Sequence, residues 1–290
     1  MTEFQQIVIN LVNEGKTVSE IAKQLNKNMS SVSSVVKRFN LTPKKAYENT
    51  IKDDFFDVID TEEKAYLLGF FIADGCINKS TSRCKGRFSI NQSEDDKEIV
   101  KAFKEYLQVP SKIQLINNQS GVKHRKTQWR IRWTSVHMME TMETIYNIHP
   151  HKTTDIEFEF PIKLIPENLQ GHFVRGFIDG DGYMGNNGEI NNFSVSIVGV
   201  SEKFLTMIGD LISNTTGMTY NLYKSKGKTV DYISLRWFSE GKNKLEKITK
   251  LKDYLYKDAT IYLFRKKKEI DAYIKYRANV LNNINTQCNA

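Results

Sequence analysis

Two aspartates, Asp74 and Asp181, close two copies of one short pattern, GFFIADG at residues 69–75 and GFIDGDG at 176–182. In the first copy Leu67, Phe70, Phe71 and Asp74 stand at i, i+3, i+4 and i+7; in the second, Val174, Phe177, Ile178 and Asp181 repeat the series. That spacing marks one face of a helix, so each acid continues an apolar stripe and arrives at a helix C-terminus. The helix dipole disfavours a negative charge there by roughly 0.3–1 kcal/mol, and partial burial adds a larger desolvation cost. Gly69 and Ala73 in one copy, and Gly176 and Gly180 in the other, sit four apart and let two helix backbones approach with little bulk between them. Packed on each other, the two helices bring Asp74 and Asp181 to one place. Two carboxylates forced together share a proton or hold a metal ion. Asp179 has the apolar Ile72 as its counterpart and is read as supporting structure or a local hydrogen-bond partner.

The elements that must position these acids repeat as well. Asp74-Gly75 maps onto Asp181-Gly182 at an offset of 107, and the strand-like FSI at 88–90 maps onto VSI at 195–197 at the same offset. Further on, RIRW (130–133) matches SLRW (234–237) at an offset of 104. Three ordered matches with a small slip indicate a duplicated domain, not a short-period solenoid. Each copy reads as a motif helix, two strands, a helix, two strands and a closing helix. The middle helices fall at 98–107 and 202–212 and the last strands at 128–134 and 231–238. The expected class is α+β, with two pseudo-symmetric αββαββα repeats at 61–160 and 161–290, divided near Pro161 to Pro166.

Three short helices precede the repeats. Phe4, Ile7, Val8, Leu11 and Val12 keep helical spacing, Gly15 breaks it, and Thr17 with Glu20 forms a capping-box pattern ahead of Ile21, Ala22 and Leu25. Val32, Val35, Val36 and Phe39 then face inward on a third helix, which leaves Ser30, Ser31, Ser33, Ser34, Lys37 and Arg38 on its open face. Short hydroxyl side chains beside two cations suit close approach to a nucleic-acid groove, so residues 1–40 are expected to form a small all-α helix-turn-helix DNA-binding domain. Residues 41–60 are read as a linker.

Composition supports a polyanionic partner. The 290 residues carry 42 Lys+Arg against 34 Asp+Glu, a formal charge of +8, and 40% apolar content is enough for a full core. Three cysteines without C-x-x-C spacing point to a reducing interior, and no apolar run approaches the ~20 residues that span a bilayer. The opening residues suit neither a signal nor a transit peptide, so the expectation is a soluble, intracellular protein with no membrane partner. His124, His137, His149, His151 and His172 show no zinc-binding spacing.

The stretches LLGFFIADG (67–75) and VRGFIDGDG (174–182), with HPHKT (149–153) and YLYKDATIYLFRKK (254–267), resemble the LAGLIDADG homing endonucleases in their single-chain, two-repeat form. The resemblance covers roughly residues 61–275. It implies that the motif helices form the interface between the halves. It further implies that Asp74 and Asp181 bind Mg²⁺ with the carbonyls of Ala73 and Gly180, and that one phosphodiester in each DNA strand is hydrolysed. Lys242 is the candidate assisting base, without a match in the first copy. The family's strands form a saddle in the DNA major groove. Suitable side chains are Lys85, Arg87, Ser89 and Gln92, then Arg125, Lys126, Arg130 and Arg132 in the first half. The second half offers Asn191, Asn192, Ser194 and Ser196, then Lys224, Lys226, Lys228 and Arg236. The implied partner is a long, imperfectly palindromic duplex bound by a monomer. The competing expectation is a non-cleaving DNA-binding regulator, or an RNA-splicing maturase whose partner is RNA.

Overall fold

The computed structural model describes residues 1–44, 51–80, 84–116, 127–150, 152–186, 193–238 and 243–288. The chain divides into two compact units, Met1–Ile51 and Lys52–Ala290.

The first unit is three helices, α1 (Glu3–Asn13), α2 (Val18–Gln24) and α3 (Met29–Arg38). Each starts where a side chain caps its free N–H groups. The Thr2 hydroxyl accepts from Gln5, the Thr17 hydroxyl from the Glu20 N–H at 3.2 Å, and Asn28 Oδ1 from the Ser31 N–H at 3.0 Å. The expected Thr17/Glu20 capping box is complete, since the Thr17 N–H donates back to Glu20 Oε2 at 2.9 Å. Val8, Leu11, Ile21, Ala22, Val32 and Val35 close one core between the helices. The turn from α2 to α3 is four residues long, with Asn26 in the left-handed region at φ 49°, a conformation that asparagine tolerates better than most residues.

The second unit contains the two repeats. The first runs α4 (Glu62–Asp74), β1 (Gly75–Ser80), β2 (Cys84–Ser93), α5 (Lys97–Tyr106), β3 (Gln114–Ile116), β4 (Gln128–Thr134) and α6 (Val136–Thr144). The second runs α7 (Glu167–Asp181), β5 (Gly182–Asn186), β6 (Phe193–Gly199), α8 (Glu202–Thr216), β7 (Tyr220–Ser225), β8 (Tyr232–Phe238) and α9 (Lys244–Tyr256). Both antiparallel sheets have the same order, β1-β2-β4-β3 and β5-β6-β8-β7. Their registers also agree: Gly75 pairs with Ile90 and Ile90 with Ile131, as Gly182 pairs with Ile197 and Ile197 with Leu235. The α+β two-repeat fold is therefore as expected, and both offsets, 107 and 104, are structural equivalences.

Alternation along the strands gives each sheet one apolar face. Phe88, Ile90, Ile131 and Trp133 turn inward in the first sheet, with Phe88 stacked on Trp133 at 5.5 Å; Val195, Ile197, Leu235 and Trp237 do so in the second. Between the sheets' helices, α4 and α7 make the most extensive helix contact of the unit. Residues 65–73 of α4 are all buried. A methyl placed on Gly69 would overlap the Phe173 carbonyl oxygen, one on Gly176 the Tyr66 carbonyl oxygen, and one on Gly180 the Ala73 methyl. Here glycine is required by backbone proximity. A buried ion pair also crosses the interface: Arg175 on α7 is fully enclosed, binds Glu62 at the start of α4, donates to the Leu255 carbonyl and lies 4.9 Å from the Tyr66 ring.

Two segments differ from the expectation. Residues 52–60, assigned to a linker, are packed on the first repeat. Phe55, Phe56 and Ile59 are buried, the Lys52 N–H donates to the Leu107 carbonyl at 2.9 Å, and the Tyr146 hydroxyl donates to the Phe56 carbonyl at 2.7 Å. The apolar Phe-Phe pair outweighs the polar residues around it. The second difference is a helix outside the repeat plan, α10 (Phe264–Cys288), whose Ile270 and Tyr273 are buried and whose Tyr273 stacks on Phe193 at 5.0 Å. Among the described residues, no helix is long and apolar enough to cross a membrane.

Gly69→Ala and Gly176→Ala should each lower the urea-unfolding free energy by at least about 1–3 kcal/mol, the usual penalty of overpacking. Wild-type stability in both would show that the helices do not touch there. A pH effect follows from His172, whose Nδ1 accepts from the Arg175 guanidinium at 2.6 Å. Burial, and then the Arg175 charge, lower its pKa below the ordinary 6.5. As pH falls through about 6.5 the unfolded chain gains a proton that the folded chain resists, so stability declines toward acid. His172→Asn, which keeps an acceptor for Arg175, should flatten this decline between about pH 7 and pH 5; identical slopes would remove His172 from the account.

Candidate active site

Both motif helices end abruptly at their acids. Asp74 is the last residue of α4 and Asp181 the last of α7, and each is followed by a glycine that opens the first strand of its repeat. A side chain on Gly75 would meet the Phe71 ring, so glycine lets the chain leave the helix against its own core.

The close approach of α4 and α7 brings the two acids within electrostatic reach. Burial, and next the negative charge of Asp74, push the Asp181 carboxyl up to about 6, against the pull of Lys152 and Lys266. Asp181 keeps an exposed side and lines a cavity of about 130 Å³ with Ala73, Lys152, Asp155 and Phe177. Asp74 is also exposed, and Gln92 Nε2 donates to its Oδ2 at 2.8 Å.

Two lysines cap the helix ends. Lys152 Nζ donates to the Ile72 carbonyl and to the Ala73 carbonyl at 3.1 Å. Lys266, in the first turn of α10, donates to the Ile178 carbonyl, to the Asp179 carbonyl at 2.9 Å and to the Gly182 carbonyl at 2.6 Å. These are groups that a helix C-terminus leaves without partners, at the negative end of its dipole. Burial lowers the pKa of both lysines, that of Lys266 to about 8, while Asp181 and then Asp74 hold Lys152 up. Neither lysine was singled out from the sequence, although both lie in stretches that carry the family resemblance. The available signal was the requirement itself: two buried helix ends need donors for their last carbonyls.

Asp179 supports the structure, as expected, through partners distant in sequence and not the local one that was the other expectation. Its Oδ2 accepts from the Tyr66 hydroxyl at 2.9 Å and from the Leu263 N–H at 2.8 Å, which ties α7 to α4 and to the approach of α10. Burial raises its carboxyl to about 6.

Strand register sorts the remaining candidates. Arg87, Ser89, Arg130 and Arg132 share the face of the first sheet opposite its apolar core, and Ser194, Ser196 and Arg236 share that face of the second. Ser89 and Ser194 are covered by their neighbours there. Two candidates lie on the other side. Gln92 has the parity of Phe88 and Ile90, so it reaches the helix end and Asp74 instead of a groove. Lys224 pairs in register with Ile233 and forms an ion pair with Glu202 of α8 at 2.6 Å. Lys226 and Lys228 are exposed between β7 and β8. In the first unit Ser30, Ser34, Lys37 and Arg38 are exposed, and Ser31 and Ser33 are half-buried. Arg125, Lys126, Asn191, Asn192, Lys242 and the side chain of Lys85 lie outside the described residues.

Among the described residues, no group of three or more His, Cys, Asp or Glu stands together as a ready-made metal site. The acid pair still fits a divalent cation. It consists of hard oxygen donors with like charge in mutual reach, and the nearby lysines are spent on backbone carbonyls.

Residues 61–136 match the model of the LAGLIDADG-like domain, which is the first repeat up to the start of α6. Among solved structures the chain is similar to mesophilic variants of the homing endonuclease I-DmoI, with 15% identity, a TM-score of 0.43, and 66% of this chain and 94% of that one covered. It is similar to the homing endonuclease I-WcaI bound to its DNA recognition sequence, at 16%, 0.48, 78% and 95%. It is also similar to the I-LtrWI LAGLIDADG homing endonuclease bound to target DNA, at 12%, 0.43, 77% and 91%. No curated protein matches the chain.

The caps can be tested without any assay of activity. Lys266→Met leaves three carbonyls short of a donor, at roughly 1–3 kcal/mol for each group left unsatisfied and buried. Its urea midpoint should fall well below that of Lys152→Met, which frees two. Equal midpoints for wild type and both variants would mean that other donors serve these helix ends.

Proposed function

We propose that this chain, whose residues 61–136 are a LAGLIDADG-like domain repeated once more by internal symmetry, is a site-specific double-strand DNA endonuclease of the homing type. The observation that carries the proposal is the acid pair. Two aspartates stand at the ends of two buried helices that touch at Gly180 and Ala73, and the carboxyl of Asp181 is raised by burial and then by the charge of Asp74. A protein that only bound DNA would have no use for so costly an arrangement.

Asp74 and Asp181 would hold a divalent cation, most simply Mg²⁺, with the Ala73 and Gly180 carbonyls as further oxygen donors. A cation bound there supplies Lewis acidity at a phosphodiester and a reactive water at neutral pH. The chain's own residues prepare that site. Gln92 fixes one oxygen of Asp74, so the rotamer of that acid is set before substrate arrives. Lys152 and Lys266 pin the last carbonyls of both helices and place two positive charges beside the acids, where a phosphate must come. One acid from each repeat matches two strands of a duplex. The polar faces of the two sheets supply the grip, with arginines suited to guanine and to phosphate. Both halves belong to one chain, so a monomer suffices. The first unit offers α3, with Ser30, Ser34, Lys37 and Arg38 outward, as an additional contact on one flank of the target.

The full chain should convert a supercoiled plasmid bearing a selected target to linear form in Mg²⁺, and EDTA should stop the reaction. Asp74→Asn and Asp181→Asn should each slow cleavage by about 100-fold or more, the scale of losing a principal electrostatic stabiliser, while binding in EDTA stays near wild type. If wild type binds tightly, leaves both strands whole in Mg²⁺ and behaves like the two variants, the chain is not a nuclease.

A further inference from the structure

The equivalent registers of the two sheets allow their open faces to be compared position by position. In the first sheet Arg87 pairs with Thr134 and Asn91 with Arg130; in the second the same places hold Ser194 with Phe238 and Val198 with Ser234. Arg87 and Arg130 are thus replaced by serines, and Asn91 by valine. Only Arg132 keeps its charge, as Arg236. Arg236 lies 5.3 Å from the Tyr223 ring, and its Nε donates to Ser234 Oγ at 3.3 Å. In the first sheet Arg130 Nε donates to Asn91 Oδ1 at 2.7 Å, so each of these arginines is steadied through Nε by a neighbour on its own sheet. Among the described residues none of Arg87, Arg130 and Arg132 forms an ion pair with a carboxylate, and no carboxylate shares their face.

Three guanidinium groups held on one sheet face match the paired N7 and O6 acceptors of guanine, the commonest specific arginine contact. The second face holds one guanidinium, that of Arg236 against Tyr223, among serines and a valine, and so offers one fork where the first offers three. It suits hydroxyl contacts of either kind and apolar contact with the thymine methyl. Resting on the reading of this chain as a DNA endonuclease, we infer that its target is chemically lopsided: the half on the first repeat is rich in G·C pairs, and the half on the second is rich in A·T pairs. Pseudo-twofold geometry is retained, while the sequence read along it is not mirrored.

The test is selection of bound duplexes from a fully randomised pool by the full chain in EDTA, which keeps the pool uncut. Recovered sites should divide into a G·C-rich and an A·T-rich half. Arg130→Ser, which installs the residue of the second repeat, should abolish guanine preference at one position of the first half, and Arg132→Ala at another. Each loss should be on the order of 5- to 150-fold in discrimination, with the other half unchanged. Ser234→Arg should create guanine preference in the A·T-rich half. Balanced halves overturn the inference alone, as does a uniform loss of affinity across all sequences in both arginine variants, since that is the mark of phosphate contact. Failure to retain any duplex overturns the inference together with the DNA reading beneath it.

Discussion

The contact on which the rest depends is the meeting of α4 and α7 at backbone distance. Each helix lays a carbonyl oxygen over a glycine of the other, Phe173 over Gly69 and Tyr66 over Gly176. No side chain separates the two backbones there, so the helix axes are held by dispersion and shape, with the Arg175–Glu62 pair and the Tyr66–Asp179 hydrogen bond as polar ties across the same seam. Close packing has an electrostatic consequence. Two C-termini, two dipoles of the same sense and two carboxylates end in one small region. Lys152 and Lys266 make this tolerable by bonding to the orphan carbonyls, and their own depressed pKa values record what burial costs them. Among the described residues no lysine bonds to either acid, so the two carboxylates keep their oxygens clear of the cations that cap the helices.

From this seam the sheets are placed. Each strand set begins at the glycine after its acid, so β1 and β5 leave the site directly, and the register Gly75–Ile90 or Gly182–Ile197 fixes which residues of the next strand point away from the core. The position of the acids and the identity of the residues on the sheets' open faces are in this way linked by parity. A one-residue slip of β2 and β4 in the first sheet would send Arg87, Arg130 and Arg132 into the apolar interior.

Much of this was legible from residue types and spacing because it is local or repeated. The acid pair, the small-residue stripes, the duplication and its two offsets all follow from patterns within a helix or between matching segments. What escaped was set by long-range contacts or by phase. Lys152 and Lys266 lie about 80 residues beyond the helix ends they cap, and nothing local distinguishes them from their neighbours. Gln92 was assigned to the groove because it stands beside polar residues; its place on the core side is decided by counting from Phe88, which only a fixed register permits. Residues 52–60 resembled a linker through their charges, while the burial of Phe55 and Phe56 depended on a surface supplied by Leu107 and Tyr146, far along the chain. Helix α10 has no counterpart in the first repeat, so repetition could not reveal it.

The same comparison shows where symmetry stops. Backbone pairing is retained from one half to the other, while side chains at equivalent places have parted. Gln92, which holds Asp74, corresponds in register to Gly199, so Asp181 lacks a matching amide. Lys152 reaches the carbonyl just before its acid, whereas Lys266 bonds to carbonyls on either side of Gly180 and leaves that one aside. A homodimer could not separate its halves in this manner, since any substitution would appear in both. One chain with two repeats is bound only by the shared seam of Gly69, Ala73, Gly176 and Gly180. Beyond that seam each half is free to adjust the surroundings of its own acid, the lysine that caps its helix and the side chains on its open sheet face.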